Sequence, residues 1–131
     1  MSENVELVKR AYEFINRGEI PRDLVAPDME LVQNSALLGT AGVFHGPEGA
    51  ERSLGELQEG FDEIRFEPVE LIEAGDFVVA PCRFRGRGKS SGAPFDARVS
   101  HLWTIREGVI ARLEVFAGRR DALRAAGLDA G

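Results

Sequence analysis

This chain has little of what most chemical sites are built from. Its 131 residues include one cysteine, one tyrosine, one tryptophan and two histidines. A lone Cys82 forms no internal disulfide, which fits a reducing cytoplasm. Neither His45 nor His101 belongs to an HExxH or neighbours a CxxC, so no metal site is expected, and no motif asks for a cofactor. Basic charge is also short, 16 Lys+Arg against 22 Asp+Glu for a net charge of −6. That balance disfavours nucleic acid, whose phosphates call for a basic patch, and polyanionic membrane surfaces with it. The longest apolar run, Phe77 to Cys82, is far shorter than the roughly 18 residues of a membrane span. The N-terminus MSENVELVKR lacks the basic start and apolar stretch of a signal peptide.

What is present is ordinary globular material: 44% hydrophobic and 29% charged residues. One domain over residues 1–131 is expected, with enough chain to bury one core. Ser2 to Arg17 reads as a helix, with Ser2 as N-cap, Val5, Val8, Tyr12 and Ile15 at helical spacing, and Gly18 as the stop. A short helix at Pro21 to Val25 and a strand at Met29 to Asn34 follow. Pro47 to Glu59 is a second long helix with Ala50, Leu54 and Leu57 on its buried side.

From Ile64 the period changes to two. The parity slips at Pro68, as a β-bulge would require, and bulges bend sheets. Pro81 invites a second bulge that would scramble the faces of Arg83 and Arg85. Strands run from Phe77 to Arg85, Phe95 to Arg106 and Val109 to Ala117, before a terminal helix at Arg119 to Ala126. GRGKSSG (Gly86 to Gly92) superficially matches a phosphate loop. However, Arg83 stands where its first glycine belongs and no helix follows, so it reads as a hairpin tip. His45 reads as an exposed turn residue and Cys82 as a small core residue.

The tight turn Glu107-Gly108 sets a register for the last hairpin. Ile105 then faces Ile110, Trp103 faces Arg112, His101 faces Glu114 and Val99 faces Phe116. One face carries a His–Glu pair beside a Trp–Arg pair; the other carries Leu102, Thr104, Ala111, Leu113 and Val115. Pattern alone leaves open which face lines the core.

Three stretches bear a resemblance: VKRAYEFINRGE (Val8 to Glu19), FHGPEG (Phe44 to Gly49) and SHLWTIREGVIARLEVFAGRRDALRAAGL (Ser100 to Leu128). In order and spacing they resemble the nuclear-transport-factor-2-like superfamily, in its SnoaL-like branch. The resemblance implies an α+β, cystatin-like cone: N-terminal helices packed on a strongly bent antiparallel sheet around an internal pocket. It turns His101 inward and makes a homodimer through the sheet the expected assembly, with Leu102, Ala111, Leu113 and Val115 needing cover.

Carried residue by residue, the resemblance narrows the chemistry. Of the ketosteroid-isomerase site, the tyrosine falls on Ala11, beside Tyr12, the base on Gln33 and the protonated acid on His101. Two of three positions have lost their chemistry. Of the epoxide-hydrolase triad only an aspartate has a counterpart, Glu114, because Val78, Val79 and Ala80 stand where its partners belong. In polyketide cyclases an acid/base residue matches His101. The expectation is a cavity for a small apolar or carbonyl-bearing ligand, with His101 and Glu114 as the acid–base pair of a cofactor-free isomerase, cyclase or hydrolase. Tyr12, Gln33, Trp103, Arg112 and Phe116 would form the walls. The alternative is a non-catalytic ligand-binding or dimerisation module on the same fold.

Overall fold

The structure, a computed structural model, describes residues 2–34 and 41–128. Helix α1 (Glu3–Ile15) starts where Ser2 accepts a hydrogen bond from the Val5 N–H at 3.0 Å, with Glu3 and Glu6 in the first turn. Its apolar stripe buries Leu7, Val8, Ala11 and Tyr12. The helix stops before the expected Arg17 because Asn16 has another task. The Asn16 amide donates to the Phe66 carbonyl at 3.0 Å and accepts from the Phe66 N–H at 2.8 Å, tying the end of α1 to the sheet.

A single 3₁₀ turn (Arg22–Leu24) replaces the expected second helix, and strand β1 (Val25–Gln33) begins earlier than its sequence pattern suggested. Pro27 does not interrupt it, because pairing with the neighbouring strand is irregular between Val25 and Glu30 and asks no N–H of the proline. Strand β2 (Gly42–His45) leads into helix α2 (Gly46–Gly60), with Pro47 in the first turn. Then come β3 (Phe61–Pro68), β4 (Ile72–Ala74), β5 (Phe77–Gly88), β6 (Pro94–Arg106), β7 (Val109–Phe116) and α3 (Arg119–Ala125).

One sheet runs β2-β1-β7-β6-β5-β3, with β4 also paired to β5. The fold is the expected α+β one, with a correction: β1 and β7 run parallel, so the sheet is mixed. Hairpin turns determine only the relative direction of consecutive strands. The direction in which β7 meets β1 depends on the whole intervening path.

The bulge expected at Pro68 lies earlier, between Asp62 and Arg65, where Glu63 takes φ 55°; Pro68 itself pairs with Cys82. Val69 lies beyond the strand and is 63% exposed. Pro81 causes no bulge. The β5–β6 register is continuous from Phe77–Thr104 to Arg87–Pro94. The Pro81 carbonyl accepts from the Val69 N–H at 2.8 Å, so its missing N–H faces the junction of β3 and β4, not β6.

The last hairpin departs most from expectation. Glu107 and Gly108 both take positive φ, as a two-residue turn requires, and Ile105 opposes Ile110. The register then shifts by one between Thr104 and Ile105, leaving Ala111 without a partner. Thr104 therefore opposes Arg112, Trp103 opposes Leu113, Leu102 opposes Glu114, His101 opposes Val115 and Ser100 opposes Phe116. A one-residue slip moves a whole strand to the other face. Glu114, Arg112 and Phe116 accordingly face outward, and Leu113 and Val115 face the cavity described below.

The central strands are covered on both faces. Val78, Ala80, Cys82, Phe84, Val99, Trp103, Ile105 and Ile110 form the inner core with α1. Val79 and Leu102 are buried on the outer face under Ala122, Leu123 and Ala126 of the α3 segment. The apolar patch expected to need a second subunit is thus dispersed, with Leu102 beneath α3 and Leu113 and Val115 inside.

Candidate functional site

Between α1, α2 and the concave face of β1, β7 and β6 lies a cavity of about 90 Å³. Trp103, Ile110, Leu113 and Val115 line it from the sheet, and Ala50, Leu54 and Leu57 from α2. Met29 and Leu31 on β1 and Ile15 and Ile20 near the end of α1 complete most of the apolar wall. Three hydrophilic side chains join them: Gln33, Ser53 and His101. Among the described lining residues there is no carboxylate, and His101 is the one whose ordinary pKa lies near neutrality.

His101 is 4% exposed and hangs from β6 between Tyr12 and the cavity. Its Nδ1 lies 2.6 Å from the Tyr12 hydroxyl, with the two rings stacked at 5.7 Å. The same hydroxyl accepts the Trp103 indole N–H at 3.0 Å and lies 3.3 Å from the Cys82 sulfur, itself 3.8 Å from Nδ1. These contacts order the protons. An indole only donates, so it takes one lone pair of the phenol oxygen. The phenol proton goes to the best acceptor within reach, His101 Nδ1. The Cys82 thiol donates to the Tyr12 oxygen or to the Ala80 carbonyl at 3.3 Å. In this arrangement the imidazole carries its own proton on Nε2. No hydrogen bond engages that nitrogen among the described residues.

Burial makes the cluster neutral. It pushes the His101 imidazolium down to about 4 and the Cys82 thiol up to about 12. Tyr12 is raised well above its ordinary value, first by burial and then by the neighbouring Cys82. Near pH 7 the site therefore presents a neutral imidazole, a phenol and a thiol. Cys82 is not a ready nucleophile.

Gln33, a half-buried residue, is the other polar group of interest on the cavity wall. Its Oε1 is buried and has no hydrogen-bond partner among the described residues. Gln33 on β1 opposes Val115 on β7, which opposes His101 on β6, so the three stand in one row across adjacent strands.

Gln33, Trp103 and His101 thus line the cavity, and Tyr12 supports His101 from behind. Glu114, Arg112 and Phe116 do not line it. Glu114 pairs outward with Arg112 at 3.6 Å, and Arg112 also lies 3.9 Å from Glu30. Phe116 packs against the α3 cluster. The His101–Glu114 pairing is therefore absent, removed by the slip at Ala111. Cys82 escaped notice as a site neighbour. Its alternation with Ala80 and Phe84 marked an inward residue, but its contact with Tyr12 depends on how α1 docks. Ser53 escaped too, although it sits three and four residues from Ala50 and Leu57 on the buried stripe of α2. His45 lies outside the cavity, 3.8 Å from Glu30. Gly86 to Gly92 closes the β5–β6 hairpin, and no helix follows it.

A helix-capped, bent sheet enclosing an apolar cavity defines a small α+β ligand-pocket fold. The chain belongs to the SnoaL-like domain family, whose family model matches residues 8–113. Solved structures share the fold over nearly the full length. An NTF2-like protein of unknown function from Burkholderia pseudomallei is 23% identical, with a TM-score of 0.80 over 95% of this chain and 97% of its own. TerC, co-crystallised with polyporic acid, is 24% identical, with a TM-score of 0.79 over 96% and 99%. A protein with a ketosteroid isomerase-like fold from Catenulispora acidiphila, in complex with trimethylamine, is 19% identical, with a TM-score of 0.72 over 98% and 95%. No curated protein matches the chain. Among the described residues no helix is long and apolar enough to cross a membrane, and no three His, Cys, Asp or Glu side chains cluster as metal ligands would.

Proposed function

We propose that this protein is a cytoplasmic, small-molecule-binding member of its family. Its cavity takes an apolar, carbonyl-bearing compound and holds the carbonyl oxygen on the Nε2–H of His101. The observation that carries the reading is the hydrogen-bond chain Trp103–Tyr12–His101, which spends Nδ1 inside the protein and leaves Nε2–H without a hydrogen-bond partner among the described residues. A neutral donor in an apolar enclosure binds a carbonyl without the cost of desolvating a charge. TerC and its polyporic acid lend the reading support by analogy of fold alone. Titration calorimetry with simple aromatic ketones tests it: micromolar to millimolar binding that weakens in His101→Gln is expected, and no binding of any ketone overturns it.

A second reading, cofactor-free acid–base catalysis, is favoured by the neutral state of His101 near pH 7. A neutral imidazole donating its Nε2–H polarises a carbonyl and stabilises the enolate formed as solvent water takes the proton from the adjacent carbon. Deuterium exchange at that carbon, followed by NMR, separates the two readings. Exchange abolished by His101→Gln is the result expected of catalysis, and its absence leaves ligand binding.

A further inference from the structure

The row Gln33–Val115–His101 says more about the ligand than that it is apolar. Two successive strand spacings separate its ends, roughly 10 Å between the backbones. Residues that share a row point to the same face of the sheet, and all three line the cavity. The ends differ in what they ask for. His101 offers a proton at Nε2. Gln33 offers the carbonyl oxygen of its amide, which is buried and lacks a donor among the described residues. An unmet acceptor in an apolar enclosure is costly, and a native fold retains one where a ligand or water answers it. Val115 between them is an apolar floor. A volume of about 90 Å³ corresponds, at roughly 10–15 Å³ for each enclosed water, to a cluster of about six or more waters. That suits one ring better than a fused polycycle.

We infer that the cavity is built for a single-ring compound with polar groups at opposite ends, an acceptor for His101 and a donor for Gln33, its apolar body lying across Val115. This deepens the small-molecule reading above and rests on it. A ligand with a carbonyl alone leaves Gln33 unanswered. One with a hydroxyl or N–H opposite the carbonyl satisfies both ends at once. Gln33 thereby sets specificity, while His101 sets the orientation of the carbonyl.

The test compares 4-hydroxyacetophenone, acetophenone and 4-ethylphenol on the native chain and on Gln33→Leu by titration calorimetry. A merely apolar pocket prefers acetophenone, because the hydroxyl loses hydration and gains nothing. The inference expects the reverse: the native protein binds 4-hydroxyacetophenone about tenfold tighter than acetophenone, and Gln33→Leu abolishes the difference. The comparison on native protein stands whether or not the variant folds. If acetophenone binds as tightly as its hydroxylated relative, the small-molecule reading survives and this inference falls. Persistence of the hydroxyl preference in Gln33→Leu also overturns it, by placing the donor elsewhere. If none of the three compounds binds, the reading above fails and takes the inference with it.

Discussion

The two faces of the β6–β7 hairpin both meet titratable side chains and treat them in opposite ways. On the outer face Arg112 pairs with both Glu114 and Glu30, and all three side chains remain partly in water. On the inner face His101, Tyr12 and Cys82 are buried, neutral and held by short hydrogen bonds. Water screens the first set, so its pairs contribute little to stability. The second set is buried, so each missing partner is expensive. The difference shows where this fold can carry recognition: on the face where polar groups are few, neutral and fixed.

The largest effect that would test this contrast is at Trp103. Trp103→Ala empties the cavity floor and removes the indole that orders the Tyr12 hydroxyl. A loss of about 3–5 kcal/mol is expected in urea denaturation followed by circular dichroism. A loss below 1 kcal/mol would show the inner face to be loosely packed.

Acid sharpens the contrast next. The folded His101 binds a proton only below about 4, whereas in the unfolded chain it does so near its ordinary 6.5. Between these values the unfolded state holds more protons, so stability falls as pH drops from 6.5 toward 4 and levels off below. At about 1.4 kcal/mol per pH unit the full loss is on the order of 3 kcal/mol. Denaturation series at several pH values, native against His101→Gln, should show a slope through this window that the variant lacks. Equal slopes would mean that the imidazole is reached by water.

Tyr12→Phe keeps the ring and removes the hydroxyl on which three partners converge. It should cost about 1–3 kcal/mol by leaving the Trp103 N–H unmet. It should also weaken ketone binding by freeing the His101 proton to occupy either nitrogen. A variant as stable as the native chain would place the network's value elsewhere. Glu114→Gln is the smallest perturbation: a change of at most about 1 kcal/mol, and none in ketone affinity. Any shift in affinity would return Glu114 to the cavity and break the comparison.

Much of the architecture was legible because it was local. Ser2 as a cap, the stripe through Val8 and Tyr12, Pro47 opening α2 and the Glu107-Gly108 turn each depend on neighbours within a few residues. His101, Trp103 and Gln33 line the cavity. Glu114, Arg112 and Phe116 do not, because counting outward from the turn assumes an unbroken ladder and Ala111 breaks it. Nothing in the string EGVIARLE marks that bulge. It is favoured by burying Leu113 and Val115 inside while leaving Arg112 and Glu114 in water, which is a decision of the whole sheet.

The sequence by itself determined the long helices, the last hairpin and the α+β class, since helix caps, tight turns and hydrophobic period act over short separations along the chain. Only the tertiary structure decided that β1 lies parallel to β7, that α3 covers Leu102, and that His101 answers to Tyr12 and stands in a row with Gln33. Those relations join residues far apart in the chain, and their geometry is set when strands choose register and α1 docks on the sheet. Register is a choice among packings that differ by one residue, and the burial of both faces together selects it.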